Sequence, residues 1–195
     1  YKRVNIMINL EAMAAQEIYT RLLYMLEKEH SKEQMQSIVK YIGSNQQKFD
    51  TLVKIFLSEE YRIIQRASWP LGNCVEANPQ LAEKHLKKLL QHMQDATQHP
   101  AVKRNVLRVF DIIAIPKKLH GELLNDCLEN ITDPYAAIAV QAYSLGILQK
   151  LTLIYPDIRH EVETIIDTRL PNATAAFASR AKKYKKAVAK HLLSI

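Results

Sequence analysis

A proline recurs along this chain at a nearly constant interval, and each time an apolar stripe of helical period follows it. Pro79, Pro116 and Pro156 stand 37 and then 40 residues apart. Behind them come Leu81, Leu86, Leu89, Leu90 and Met93; Leu119, Leu123, Cys127, Leu128 and Ile131; and Ile158, Val162, Ile165, Ile166 and Leu170. Steps of three and four residues put each set on one helix face. A second apolar helix precedes each proline. One amphipathic pair cannot cover its own apolar face, so the period predicts a stack in which each pair buries its stripe against the next.

Every other strong period is also helical. Leu10, Met13, Ile18, Leu22, Met25 and Leu26 mark a first long helix. Val4, Ile6 and Ile8 alternate like a strand, but without a partner strand they read as a helix lead-in or an irregular arm. Ser31 and Gln34 have capping-box spacing, as do Ser44 and Gln47, and Gly43 between them ends a helix. Phe49, Leu52, Val53 and Phe56 form the stripe of the helix after Ser44. Ser58 reads as the next N-cap, with Glu59 and Glu60 placed for the helix dipole. The helix it opens, from about 59 to 76, carries Pro70 inside its apolar pattern. An interior proline removes a backbone bond and crowds the preceding turn, so a kink is expected there. Further helices are predicted from Pro79 to Gln94, Pro100 to Ile115, Pro116 to Ile131, Asp133–Pro134 to Ile154, Pro156 to Leu170, and after Pro171–Asn172 to about Leu193.

These features resemble the HEAT-repeat and armadillo-like superfamily of α-solenoids. The resemblance rests on the two-helix period, on the proline in Arg66-Ala-Ser-Trp-Pro-Leu-Gly72, and on the basic-apolar helix start Val102-Lys-Arg-Asn-Val-Leu-Arg-Val-Phe110. It covers residues 58 to about 190, while 1–57 match only as helical hairpins. Pro70 has no counterpart in the next two units. The resemblance implies an all-α, right-handed α-α superhelix of four to five helical hairpins, in one domain spanning 1–195. It also implies a protein-binding scaffold and carries over no catalytic residue.

Composition excludes several alternatives. Only four glycines and seven prolines occur in 195 residues, too few for disorder or a many-turned β-sandwich. No P-loop, GxGxxG, HExxH or Gly-x-Ser-x-Gly motif is present. Cys74 and Cys127 sit in apolar helical patterns and read as buried, reduced thiols of a cytoplasmic protein. No segment reads as a membrane span, because Gln141, Gln149 and Lys150 interrupt the most apolar stretch. Two glycosylation-type triplets, at Asn130 and Asn172, read as chance.

Three acid–imidazole groupings have the residue types of metal ligands: Glu27 with His30, Asp157 with His160, and His92 with Asp95 and His99. None specifies a closed ligand set, and each reads as a solvated surface, so neither metal nor cofactor is expected.

Charge is concentrated at one end. The last 28 residues hold seven Lys and Arg and no acid, which leaves twenty basic and twenty acidic residues in the rest of a +7 chain. Phe177, Ala181, Tyr184, Val188, His191 or Leu192, and Ile195 form an apolar stripe. Lys182, Lys183, Lys185, Lys186 and Lys190 occupy other faces of the same helix. One reading is a solvated capping helix over 172–195 that ends the stack. The other is an electrostatic footprint for nucleic acid, with Trp69 stacking on a base, in a protein similar to the HEAT-like DNA-alkylation-repair glycosylases. Trp69 has a plainer role as core filler beside Pro70. The leading expectation is a non-catalytic scaffold whose concave face binds another protein, with nucleic acid as the alternative partner.

Overall fold

A computed structural model describes residues 2–58, 60–95 and 100–193. Among these residues there are ten α-helices and no strand. They are α1 (Lys2–Lys28), α2 (Lys32–Ile42), α3 (Gln46–Ser58), α4 (Tyr61–Ala77), α5 (Leu86–Gln94), α6 (Pro100–Ile112), α7 (His120–Thr132), α8 (Ile138–Ile154), α9 (Arg159–Arg169) and α10 (Ala175–Leu192). The fold is all-α. The chain divides into two compact units, Tyr1–Asn105 and Val106–Ile195.

The recurring prolines do something more specific than start α-helices. Each leads into a 3-10 segment, at Pro79–His85, Lys117–Leu119 and Pro156–Ile158, and the α-helix proper begins only afterwards. A proline donates no backbone bond, so the first turn tightens around i→i+3 bonds. Leu81 N–H donates to Asn78 O at 3.1 Å, Leu119 N–H to Pro116 O at 2.9 Å, and Ile158 N–H to Tyr155 O at 3.2 Å. Most residues of the apolar stripes behind these turns are buried, while Leu128, Ile158, Ile165 and Leu170 are half-buried. Leu86, Leu89, Leu90, Leu123, Cys127, Ile131, Val162 and Ile166 are all at most 1% exposed. Each buried aliphatic side chain of this size contributes roughly 1.5–3 kcal/mol.

In the first unit, α3 packs most extensively on α4, α1 lies on α3, and α2 lies on α4. This makes two layers, α1 with α3 and α2 with α4. The stripe of α3 is fully internal, with Phe49, Leu52 and Phe56 at 0% exposure. In the second unit, α7 packs on α8, α8 on α10, and α7 on α9, again giving two layers. Helix α8 lies between α7 and α10, which explains why it is apolar all round. Its buried polar groups are paired internally: Ser144 accepts from Asn130 at 3.1 Å, and Thr152 meets the Tyr184 hydroxyl at 3.0 Å.

Several expected boundaries are revised. Residues 2–28 form one helix, so of the two readings of the early alternation the helix lead-in is the one observed. Met13 is 69% exposed, while Leu22 and Leu26 of the same stripe are internal, at 0% and 1% exposure. Ser31 does cap α2, accepting from Gln34 N–H at 3.0 Å, but the Gln34 side chain turns away to donate to Met25 O at 2.5 Å. Asn45, not Ser44, caps α3, accepting from Lys48 N–H at 3.0 Å. Ser58 ends α3, and α4 starts behind Glu60 without a side-chain cap. Helix α4 runs through Pro70 from Tyr61 to Ala77. Asp133–Pro134 does not open α8: the Asp133 carboxylate accepts from Tyr135 N–H at 2.9 Å, closing a turn of its own, and the helix begins at Ile138. Thr174 caps α10, accepting from Phe177 N–H at 3.3 Å.

The repeat period also appears in the bonds that finish helices. The last carbonyls of a helix lack internal donors. Three basic side chains about one period downstream supply them. Arg66 donates to Leu26 O at 2.8 Å and Glu27 O at 2.7 Å, at the end of α1. Lys150 donates to Phe110, Asp111 and Ile113 carbonyls at 3.1, 2.5 and 2.9 Å, at the end of α6. Arg169 donates to Ile131 O at 2.5 Å and Asp133 O at 3.0 Å, at the end of α7. A cation at a helix C-terminus also complements the dipole.

Candidate binding surfaces

A groove runs between α3 and α5 in the first unit, with a volume of about 650 Å³. Its α3 wall is Asp50, Val53, Lys54 and Leu57, one face at steps of three and four. Its other wall is His85, Lys88, Gln91, His92 and Asp95. The two walls are locked by a pattern that repeats after seven residues on both sides. The Phe49 and His85 rings lie 6.0 Å apart, and so do those of Phe56 and His92.

Asp50 is the polar hub at one end. Its carboxylate accepts from Lys84 Nζ at 2.6 Å, His85 Nε2 at 2.7 Å and Gln46 Nε2 at 2.8 Å. Burial is the largest single influence and pushes the carboxyl upward. The bonds from Lys84, Gln46 and His85 and the charge of Lys84 together outweigh it, holding Asp50 below the usual carboxylate range. At the other end burial pushes the His92 imidazole below its ordinary value, against the opposite pull of Asp95. Among the described residues, His92 Nε2 is buried with no hydrogen-bond partner. The groove thus offers the half-buried Leu57 and the stems of Lys54 and Lys88 between polar ends, a combination suited to an extended or helical polypeptide.

The basic end folds as α10. Its apolar face is internal: Phe177 and Tyr184 are 0% exposed, Ala181 1% and Val188 3%. His191 is half-buried, and Ile195 lies outside the described residues. Lys182, Lys183, Lys186 and Lys190 are exposed and Lys185 is half-buried. Lys185 pairs with Asp167. Among the described residues, no carboxylate pairs with the other four.

Trp69 is half-buried in α4, with its ring 5.8 Å from the exposed His30. It belongs to the first unit and the lysines to the second. Cys74 and Cys127 are both buried and unbridged, and burial pushes the Cys74 thiol up to about 12, so it is a poor nucleophile at neutral pH. Glu27, His30, Asp157 and His160 are all exposed. His99, third member of the His92–Asp95 grouping, lies outside the described residues. Among those residues, no group of three His, Cys, Asp or Glu side chains is arranged to hold a metal ion. No helix among them is long and apolar enough to cross a membrane.

The sequence signal missed the α3/α5 groove, because Asp50 and His85 are 35 residues apart and neither stands in a motif. The visible hint was Asp50, a carboxylate beside the internal Phe49 and Leu52.

No curated protein and no solved structure matches the chain. A family model does: residues 22–188, from Leu22 of α1 to Val188 of α10, match the HEAT repeat domain. The chain therefore belongs to the HEAT repeat domain family.

Proposed function

We propose that this protein is a non-catalytic scaffold that binds another protein. The resemblance names the concave face of the stack, and the groove between α3 and α5 is the described surface whose chemistry suits a polypeptide. The observation that carries this reading is that groove: the half-buried Leu57 and the aliphatic stems of Lys54 and Lys88, flanked by the Asp50 and His92 ends. In this reading the protein works in the cytoplasm, a reducing compartment that suits two unbridged buried thiols.

A photo-crosslinking residue placed at Gln91 tests it. Gln91 is exposed at the groove, so the replacement leaves the core intact. Expected is a protein adduct at position 91 that is absent from the exposed control position Glu161 and lost when Lys88→Glu is added. No adduct, or equal adducts at both positions, sinks the assignment.

A second reading has its own observation, the four exposed lysines of α10 that pair with no described carboxylate. They would contact the phosphates of a nucleic acid, with Trp69 as a separate stacking platform. Each phosphate contact contributes about −0.9 to the slope of log affinity against log salt on duplex DNA, so four predict a slope of roughly −3.6. Replacing Lys182, Lys183, Lys186 and Lys190 with Gln should abolish binding measured by fluorescence anisotropy. If the wild type binds neither a mixed duplex nor a single strand at low salt, this reading falls.

A further inference from the structure

We propose that the cleft between the α7–α8 loop and the α9–α10 turn of the second unit binds a phosphate group. The cleft has a volume of about 280 Å³, and its lining includes Thr132, Gln141, Thr168, Arg169, Asn172 and Thr174. Among the described residues, Arg169 is the one charged side chain that lines it.

The charge on Arg169 is held without being neutralised. Its guanidinium has five N–H donors. Three go to uncharged acceptors: Nη1 to Ile131 O at 2.5 Å and Asp133 O at 3.0 Å, and Nη2 to Gln141 Oε1 at 3.2 Å. The Phe177 ring lies 5.0 Å from its central carbon. Among the described residues, no carboxylate forms an ion pair with it. A half-buried cation fixed by dipoles keeps its attraction for an anion, and two of its donors remain to make that contact.

The other lining groups sort by what they have left to give. The Thr132 hydroxyl donates to Leu128 O at 2.8 Å and that of Thr168 to Thr164 O at 2.9 Å, so both protons are spent. The Gln141 amide donates to Ala136 O at 2.6 Å. Thr174 Oγ1 accepts from Phe177 N–H and keeps its own proton. The exposed Asn172 amide has no bond to any described residue and offers two more donors. A two-oxygen carboxylate leaves part of this donor set idle, whereas the three terminal oxygens of a phosphate use it. The surplus of seven positive charges over residues 168–195 draws anions toward this end of the chain.

The test uses the full chain and NMR, with inorganic phosphate titrated at constant ionic strength. The amide signals of Asn172 and Thr174 should shift and saturate by about 10 mM, the range in which a site with Kd near 1 mM fills. Asn172→Asp places a carboxylate at the mouth without touching a bond of the fold. It should weaken binding by roughly tenfold or more while the melting temperature stays that of the wild type. A second arm compares a phosphoserine peptide with its unphosphorylated form. A much tighter phosphopeptide means the phosphate arrives on a polypeptide; equal affinities mean the cleft takes the free ion. Absence of a saturable shift with either probe, or equal affinity in Asn172→Asp, overturns the proposal.

Discussion

Gly146 shows how little room the second unit leaves at a single residue. It lies inside α8, where alanine is ordinarily better by about 1 kcal/mol. Here a Cβ would stand 2.0 Å from Asp111 Oδ1 and 3.0 Å from Arg180 Nη1. Those two side chains pair at 2.8 Å, and Lys150 reaches the carbonyls of the same α6 end. Gly146→Ala must therefore push the pair apart, and overpacking of this kind costs roughly 1–3 kcal/mol. The expectation is a net loss of stability in urea unfolding, and a variant as stable as the wild type would refute the account. None of this was legible in the sequence. Gly146 stands in no motif and Lys150 reads there only as an interruption of an apolar stretch, because their partners come from α6 and α10. Burial along one helix follows from local period; a close approach between helices depends on three elements at once.

Helix interiors were read well and helix ends poorly, for one physical reason. A stripe of eight or more residues averages over many weak preferences, whereas an end turns on which one side chain wins a few orphan amides. Ser44 and Gln47 have the spacing of a capping box, yet Asn45 takes the Lys48 amide instead. The two substitutions separate these roles. Asn45→Ala should cost about 1 kcal/mol, the usual loss for an N-cap. Ser44→Ala should stay within about 0.5 kcal/mol, as at most exposed sites. A urea midpoint lowered more by Ser44→Ala than by Asn45→Ala would restore the spacing-based assignment. The same competition displaced the start of α8, where the Asp133 carboxylate satisfied Tyr135 rather than a helix amide. At the prolines the period was right, and what it marked was a 3-10 turn.

For the whole molecule, the all-α repeat was legible because a 40-residue period survives degeneracy at any one position. The groove was not, because repeats bring residues about 35 apart into contact without any local sign. That groove also sets how the protein answers acid. His92 and Asp50 both have folded values below their unfolded ones, His92 by burial and Asp50 by its three donors. A group shifted down binds more protons unfolded than folded, so stability rises with pH across its window. For His92 the contribution is complete above about 6.5, the unperturbed value, and drains away as pH falls through the folded value. For Asp50 the loss starts only below about 4. The melting temperature should therefore begin to fall on moving from pH 7 to pH 5, before carboxylates titrate. His92→Gln keeps a polar group at the site but removes the titration, so its melting temperature should change less over that interval. A wild-type curve that is flat from pH 7 to 5, or an unchanged slope in His92→Gln, would show that the buried imidazole is not what the acid limb reports.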